Sequence, residues 1–166
     1  MRWAWIIVLL VACNDAPEKE RAPVGGGADP KPAPVVPLDG PPRWVQYDHI
    51  LITFRGAHKI VDHSRTKEQA RELALSVLER AKSGLVRFAL LKDQYSDDRA
   101  ADGSKRGPYI MLNEGEPQKA AEHIPRKNAA KALADLVFRL DVGEIDMCEY
   151  HPDHSPFGWH IVQRQR

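Results

Sequence analysis

The stretch Tyr47-Asp48-His49-Ile50-Leu51-Ile52-Thr53-Phe54 is the first run in the chain with the alternation of a β-strand, and its reading decides the fold. Side chains two apart share a face of a strand, so Tyr47, His49, Leu51 and Thr53 project to one side. Asp48, Ile50, Ile52 and Phe54 project to the other, and that face is apolar enough to lie against helices. The first face sets a histidine among apolar neighbours. A single histidine in a strand is commonly a structural residue, so any chemistry at His49 depends on what the rest of the chain brings to it.

Upstream the character is different. Met1-Arg2 precedes an apolar run from Trp3 to Ala12, which Cys13 and Asn-Asp-Ala-Pro-Glu-Lys-Glu end abruptly. The run is shorter than the roughly 20 residues of a spanning helix. It fits the hydrophobic region of a signal peptide with a basic residue ahead of it. Leu10-Val11-Ala12-Cys13 resembles the lipobox of bacterial lipoproteins, which implies cleavage before Cys13 and acylation of its thiol. Residues 1–12 are therefore read as a lipoprotein signal peptide, and 13–42 as the lipidated Cys13 with a disordered Pro/Gly-rich tether. Pro-Val-Gly-Gly-Gly and Pro-Lys-Pro-Ala-Pro-Val-Val-Pro have little to bury, and at ~3.1 Å per residue the tether could reach about 90 Å. This places the rest, 43–166, at the bacterial cell envelope, facing the periplasm or the exterior.

Composition excludes several classes. At 166 residues and 43% hydrophobic content there is room for one domain of ordinary size plus extras. A net charge of +1 gives no field that would steer the chain to nucleic acid. Cys13 and Cys148 are too few for a disulfide framework or a zinc cluster. Once Cys13 is acylated, Cys148 is the remaining thiol, a small packed side chain in a strand.

After the first strand, Arg55 to Arg65 reads as a basic solvated loop. Thr66-Lys67-Glu68-Gln69 has the form of a capping box. Ala70, Leu73, Ala74, Val77, Leu78 and Ala81 then recur at helical spacing, and Gly84 supplies a left-handed cap. A shorter helix is expected over Val86 to Tyr95. Tyr109 to Leu112 is a second strand, Asn113 to Asn128 a long polar excursion, and Ala129 to Leu140 a third helix. A strand through Met147 to Tyr150 is broken by His151 to Pro156, and Phe157 to Gln163 is the last strand. The sum is an α+β domain with few, mostly antiparallel strands.

The order of these motifs resembles the parvulin-type peptidyl-prolyl cis-trans isomerases. The resemblance is carried by His49-Ile50-Leu51-Ile52, by Ser64 to Ala70, and by Phe88-Ala89 leading to Tyr95-Ser96-Asp97-Asp98. Leu133 to Leu140, Val142-Gly143-Glu144-Ile145 and Phe157 to Arg164 complete it, so that it covers Val45 to Arg166. It implies a four-stranded antiparallel sheet with first and last strands adjacent at the centre, so that His49 and His160 meet on one face. Asp98 corresponds to the family's acidic or thiol residue, Leu133 and Phe138 to the proline-pocket wall, and Met111 to the methionine that usually contributes.

The implied function is isomerisation of X-Pro bonds in unfolded or exported polypeptides. It involves no covalent intermediate, cofactor, metal or nucleic acid, and the protein is expected to be a monomer joined to the membrane by its lipid. Two departures bear on activity. Arg106, in Gly103-Ser104-Lys105-Arg106-Gly107, stands where an aliphatic residue lines the pocket; its stem could still do so, or it could admit an acidic ligand. Thr53 stands where the phosphoserine-directed branch has a lysine, so phosphate is not expected to be required. One rival reading is a non-catalytic chaperone or peptide-binding module using the same cleft. Another is a metal surface built from His123, His151, Asp153 and His154.

Overall fold

A computed structural model of the protein describes residues 40–59 and 63–166, all within one unit running from Pro37 to Arg166. The signal segment, Cys13 and the tether as far as residue 39 lie outside the described residues.

Strand β1 spans Trp44–Ile52 and begins earlier than the alternation from Tyr47 implies. Its leading part, Trp44 to Tyr47, pairs with β2 (Tyr109–Leu112), and its trailing part, Tyr47 to Ile52, pairs with β5 (Trp159–Arg164). Thr53 leaves the ladder because Asp97 takes over its backbone: the Thr53 N–H donates to Asp97 Oδ2 at 2.9 Å. The register leaves no room beside Gly158, where an added Cβ would come 2.2 Å from the Ile52 carbonyl oxygen at a φ of +141°.

The first helix, α1, is Lys67–Lys82, and both halves of the Thr66–Gln69 capping box are formed. Ala70, Ala74, Val77 and Ala81 are its buried stripe and pack with Ile50, Ile52 and Ile161 of the sheet. Helix α2, Phe88–Tyr95, buries Phe88 and Leu91 in the same cluster. After β2 come a short strand β3 (His123–Pro125) and a 3-10 turn, Arg126–Asn128. Helix α3 is Lys131–Arg139 and β4 is Ile145–Cys148. Leu133, Leu136 and Val137 of α3 cover the opposite sheet face, packing with Val45, Tyr47, Met111 and Val162.

The sheet has five strands in the order β3-β2-β1-β5-β4. The expected adjacency of first and last strands at its centre is present, but the expected four-stranded antiparallel sheet is corrected to a mixed one. β3 runs parallel to β2, with Ile110 opposite His123 and Met111 opposite Ile124. The excursion after Asn113 is long enough to turn back along β2 before α3 starts.

On the helical face, Asp48 is buried among apolar residues and is met by Lys92 of α2 at 2.6 Å. Removing one partner of a buried pair strands the other charge, which typically costs about 3–5 kcal/mol. Lys92→Met should therefore destabilise the domain by about that amount in urea unfolding, and Asp48→Leu with Lys92→Met should recover much of it. A single variant as stable as the parent would show that Asp48 keeps access to water.

Candidate active site

Pairing of β1 with β5 sets His49 opposite Val162 and His160 opposite Leu51. The two histidines are thus diagonal neighbours on one sheet face, where long side chains still reach one another. Their Nδ1 atoms lie 3.2 Å apart and their ring centroids 5.1 Å apart. Both rings are buried, so their nitrogens depend on protein partners rather than bulk water.

The segment after α2 supplies the next partner. The Ser96 hydroxyl accepts the Leu51 N–H at 3.2 Å, and the Asp97 N–H donates to the Leu51 carbonyl at 2.8 Å. Asp97 also accepts Arg65 Nη1 at 2.8 Å. With Ser96 and Asp97 fastened to the edge of β1, Asp98 is carried to His49, its Oδ2 lying 2.9 Å from Nε2. The same carboxylate oxygen accepts a hydrogen bond from the Tyr109 hydroxyl.

Burial alone would raise the Asp98 carboxyl, but the hydrogen bonds from His49 and Tyr109 outweigh it and hold the group below the usual carboxylate range. Burial pushes His160 down to about 3, and the neighbouring His49 adds to the effect. Tyr109 is raised by burial and by its bond to Asp98, so its hydroxyl remains a donor. An ionised Asp98 can only accept, so His49 presents an N–H to it at Nε2, and the tautomer with that proton offers a lone pair at Nδ1. His160 then donates from its own Nδ1, and its Nε2 is a buried nitrogen with no partner among the described residues.

This chain of groups borders a cleft of about 320 Å³ whose apolar lining comes from Leu51, Ile124, Ala129, Ala130, Leu133 and Phe157. Arg106 also lines it. His49, Asp98, His160, Leu133 and Arg106, all singled out from sequence, come together here. Two expected wall residues do not. Met111 is fully buried beneath α3, in the cluster with Val45 and Val137. Phe138 points away to another flank of α3, under the Arg126 guanidinium at 4.7 Å. Ile124 of β3 and Phe157 line the cleft instead. Tyr109 was legible only as the start of an apolar strand. Its pairing opposite Tyr47, which shares a face with His49, is the feature that places its hydroxyl in the site.

The described ends of the basic loop after β1 are tied down: Arg65 Nη1 donates to the Thr53 carbonyl and Arg55 Nε to the His63 carbonyl. Cys148 is buried, 3.9 Å from the Ser155 hydroxyl, and burial pushes its thiol up to about 11. The metal surface weighed from sequence does not assemble, because His123 is on β3 at one sheet edge while His151 and His154 follow β4 at the other. A depression of similar size, about 330 Å³, lies between Trp44 and Pro117 on the other face; His123 borders it, but neither His49 nor His160 does.

Residues 38–165 match the PPIC-type PPIASE domain, and the chain belongs to that family. The match begins slightly ahead of the domain start at 43 expected from sequence. No curated protein matches the chain.

The burial of neutral His160 has a consequence for stability. An ordinary histidine takes up a proton near 6.5, whereas His160 in the fold resists until about 3. Between those values the unfolded chain binds a proton that the folded one refuses, so stability falls as pH falls through that window. Asp98 contributes differently: its stabilisation is present above the normal carboxyl value of 3.8 and is lost only as pH drops through its lowered folded value. Urea titrations between about pH 6 and pH 4 should show a slope reduced by up to one proton in His160→Asn. An unchanged slope would mean that His160 titrates as an exposed histidine does.

Proposed function

We propose that the domain is a peptidyl-prolyl cis-trans isomerase that rotates X-Pro bonds without a covalent intermediate, acting on exported polypeptides at a bacterial cell envelope. The observation that carries the catalytic reading is the Tyr109–Asp98–His49–His160 chain bordering an apolar cleft. Family membership supports prolyl isomerisation in general.

The chemistry follows from the amide. Resonance gives the peptide bond a rotation barrier of about 18–20 kcal/mol. At the 90° twist the carbonyl loses polarity and the nitrogen regains its lone pair, so an apolar wall favours the twisted state over the planar one. The cleft's apolar side chains seat a prolyl ring, and the fixed imidazoles border the twisting amide. A network whose donors are committed to one another and to Asp98 does not reorganise as the bond turns, and such preorganisation is where electrostatic catalysis gains. Asp98 and Tyr109 act by holding His49 in place.

His49→Ala should lower the isomerisation rate at least about tenfold, equivalent to ~1.4 kcal/mol of transition-state stabilisation. Tyr109→Phe, which leaves Asp98 one of its two donors, should lower it less. Exchange NMR on an Ala-Leu-Pro peptide measures both, and an undiminished rate in His49→Ala would reduce that residue to a packing role. Arg106 in the wall favours a second reading, a peptide-binding chaperone. Suppression of aggregation without any acceleration of exchange would select it.

The envelope assignment rests on the sequence around Cys13. Mass spectrometry of membrane fractions should find the mature chain beginning at an acylated Cys13, and Cys13→Ala should release the protein. A mature terminus elsewhere would remove the anchor.

A further inference from the structure

Arg106 is held by its backbone and left open at its side chain. Its carbonyl oxygen lies 3.4 Å from Lys92 Nζ, the ammonium that also pairs with buried Asp48. The next residue, Gly107, has a φ of +91°, and a Cβ there would come 2.7 Å from Asp48 Oδ1. Tyr109 follows on the sheet, bonded to Asp98. The neighbouring cations are committed: Lys105 Nζ donates to the Ser96 carbonyl, and Arg99 Nη1 to the Gly103 carbonyl at 2.9 Å. Among the described residues the hydrogen bond of Arg106 is through its carbonyl, and its guanidinium makes no hydrogen bond or ion pair although it lines the cleft.

The opposing charge in the cleft is Asp98, whose Oδ2 already accepts from His49 and Tyr109. Arg106 acts on it only through its field, as one of the influences that keep the carboxyl low. A ligand carboxylate would therefore find a guanidinium with its donors free, carried on a backbone that is held beside the cleft. The planar fork of arginine suits a carboxylate in a two-point contact.

We propose that Arg106 makes this cleft selective for prolyl bonds flanked by an acidic side chain, a glutamate or aspartate next to the proline. This rests on the isomerase reading of the same cleft and adds the class of client. A phosphate group carries nearly twice the charge, which scales up both its attraction to Arg106 and its repulsion by Asp98, so it is set beside the carboxylate in the test.

The test compares peptides Ala-Glu-Pro, Ala-Gln-Pro, Ala-Pro-Glu and Ala-phosphoserine-Pro on the full-length protein, reading binding by chemical-shift titration and turnover by exchange NMR. The better of the two glutamate peptides should bind about 3- to 5-fold tighter than the glutamine peptide at low salt, the range expected for a partly solvated ion pair. The difference should shrink as salt rises. Arg106→Leu and Arg106→Gln should each abolish it, and Arg106→Lys should keep part. Equal binding of glutamate and glutamine peptides would overturn the proposal, as would a preference that survives both substitutions. Tighter binding of the phosphoserine peptide through Arg106 would overturn the carboxylate assignment. If the preference appears and depends on Arg106 but no peptide is turned over, the selectivity stands and the isomerase reading fails.

Discussion

Two imidazoles buried in contact must settle where their protons go, because neither can turn to water for a partner. Here the ionised Asp98 settles it, 2.9 Å from His49 Nε2. An acceptor within the chain draws a donor from each neighbour, from Tyr109 on one side and from His49 and then His160 on the other. The ring orientations follow, while the neutral state of His160 comes from its burial. If Asp98 were withdrawn, both rings would be free to flip, and the wall facing the cleft would no longer have a defined polarity.

That carboxylate is itself held by features that never touch the cleft. Ser96 and Asp97 clamp the end of β1 through its backbone, in the place where a further strand would otherwise pair. On the opposite sheet face the Asp48–Lys92 pair ties α2 to β1 and to the loop before β2. A pair of this kind contributes little net stability when intact, since desolvation offsets attraction. Its value here is positional: it fixes where Arg106 and Tyr109 enter the cleft.

Most of the fold was legible because its signals are local and periodic. The capping box at Thr66, the stripe through Ala70 and Val77, and the apolar faces of β1 and β5 each declare an element within a few residues. The strand β3 was not legible. His123-Ile124-Pro125 is three residues with one aliphatic side chain and a proline, and its pairing to β2 is set by where a long loop returns. The site divided the same way. His49, Asp98 and His160 could be named from the motif order, whereas Met111 and Phe138 could not be excluded from the wall without knowing how α3 lies. Tyr109 carries the same apolar bulk in either role, and only the register opposite Tyr47 brings its hydroxyl to Asp98.

The sheet's outer margins bear on what such a cleft could safely handle. Extended chains are the species most able to add themselves to an exposed strand, and an unguarded margin would make their receptor a template for aggregation. One margin here is β3, only three residues long and ending in Pro125, which has no N–H to offer a newcomer. The other is β4, four residues long, with Asp146 held by Lys82 and Arg139 as a charged guard. Short, charged and proline-ended borders leave an incoming chain little ladder to extend, so the histidine-lined cleft offers it a better place to dock than the backbone does.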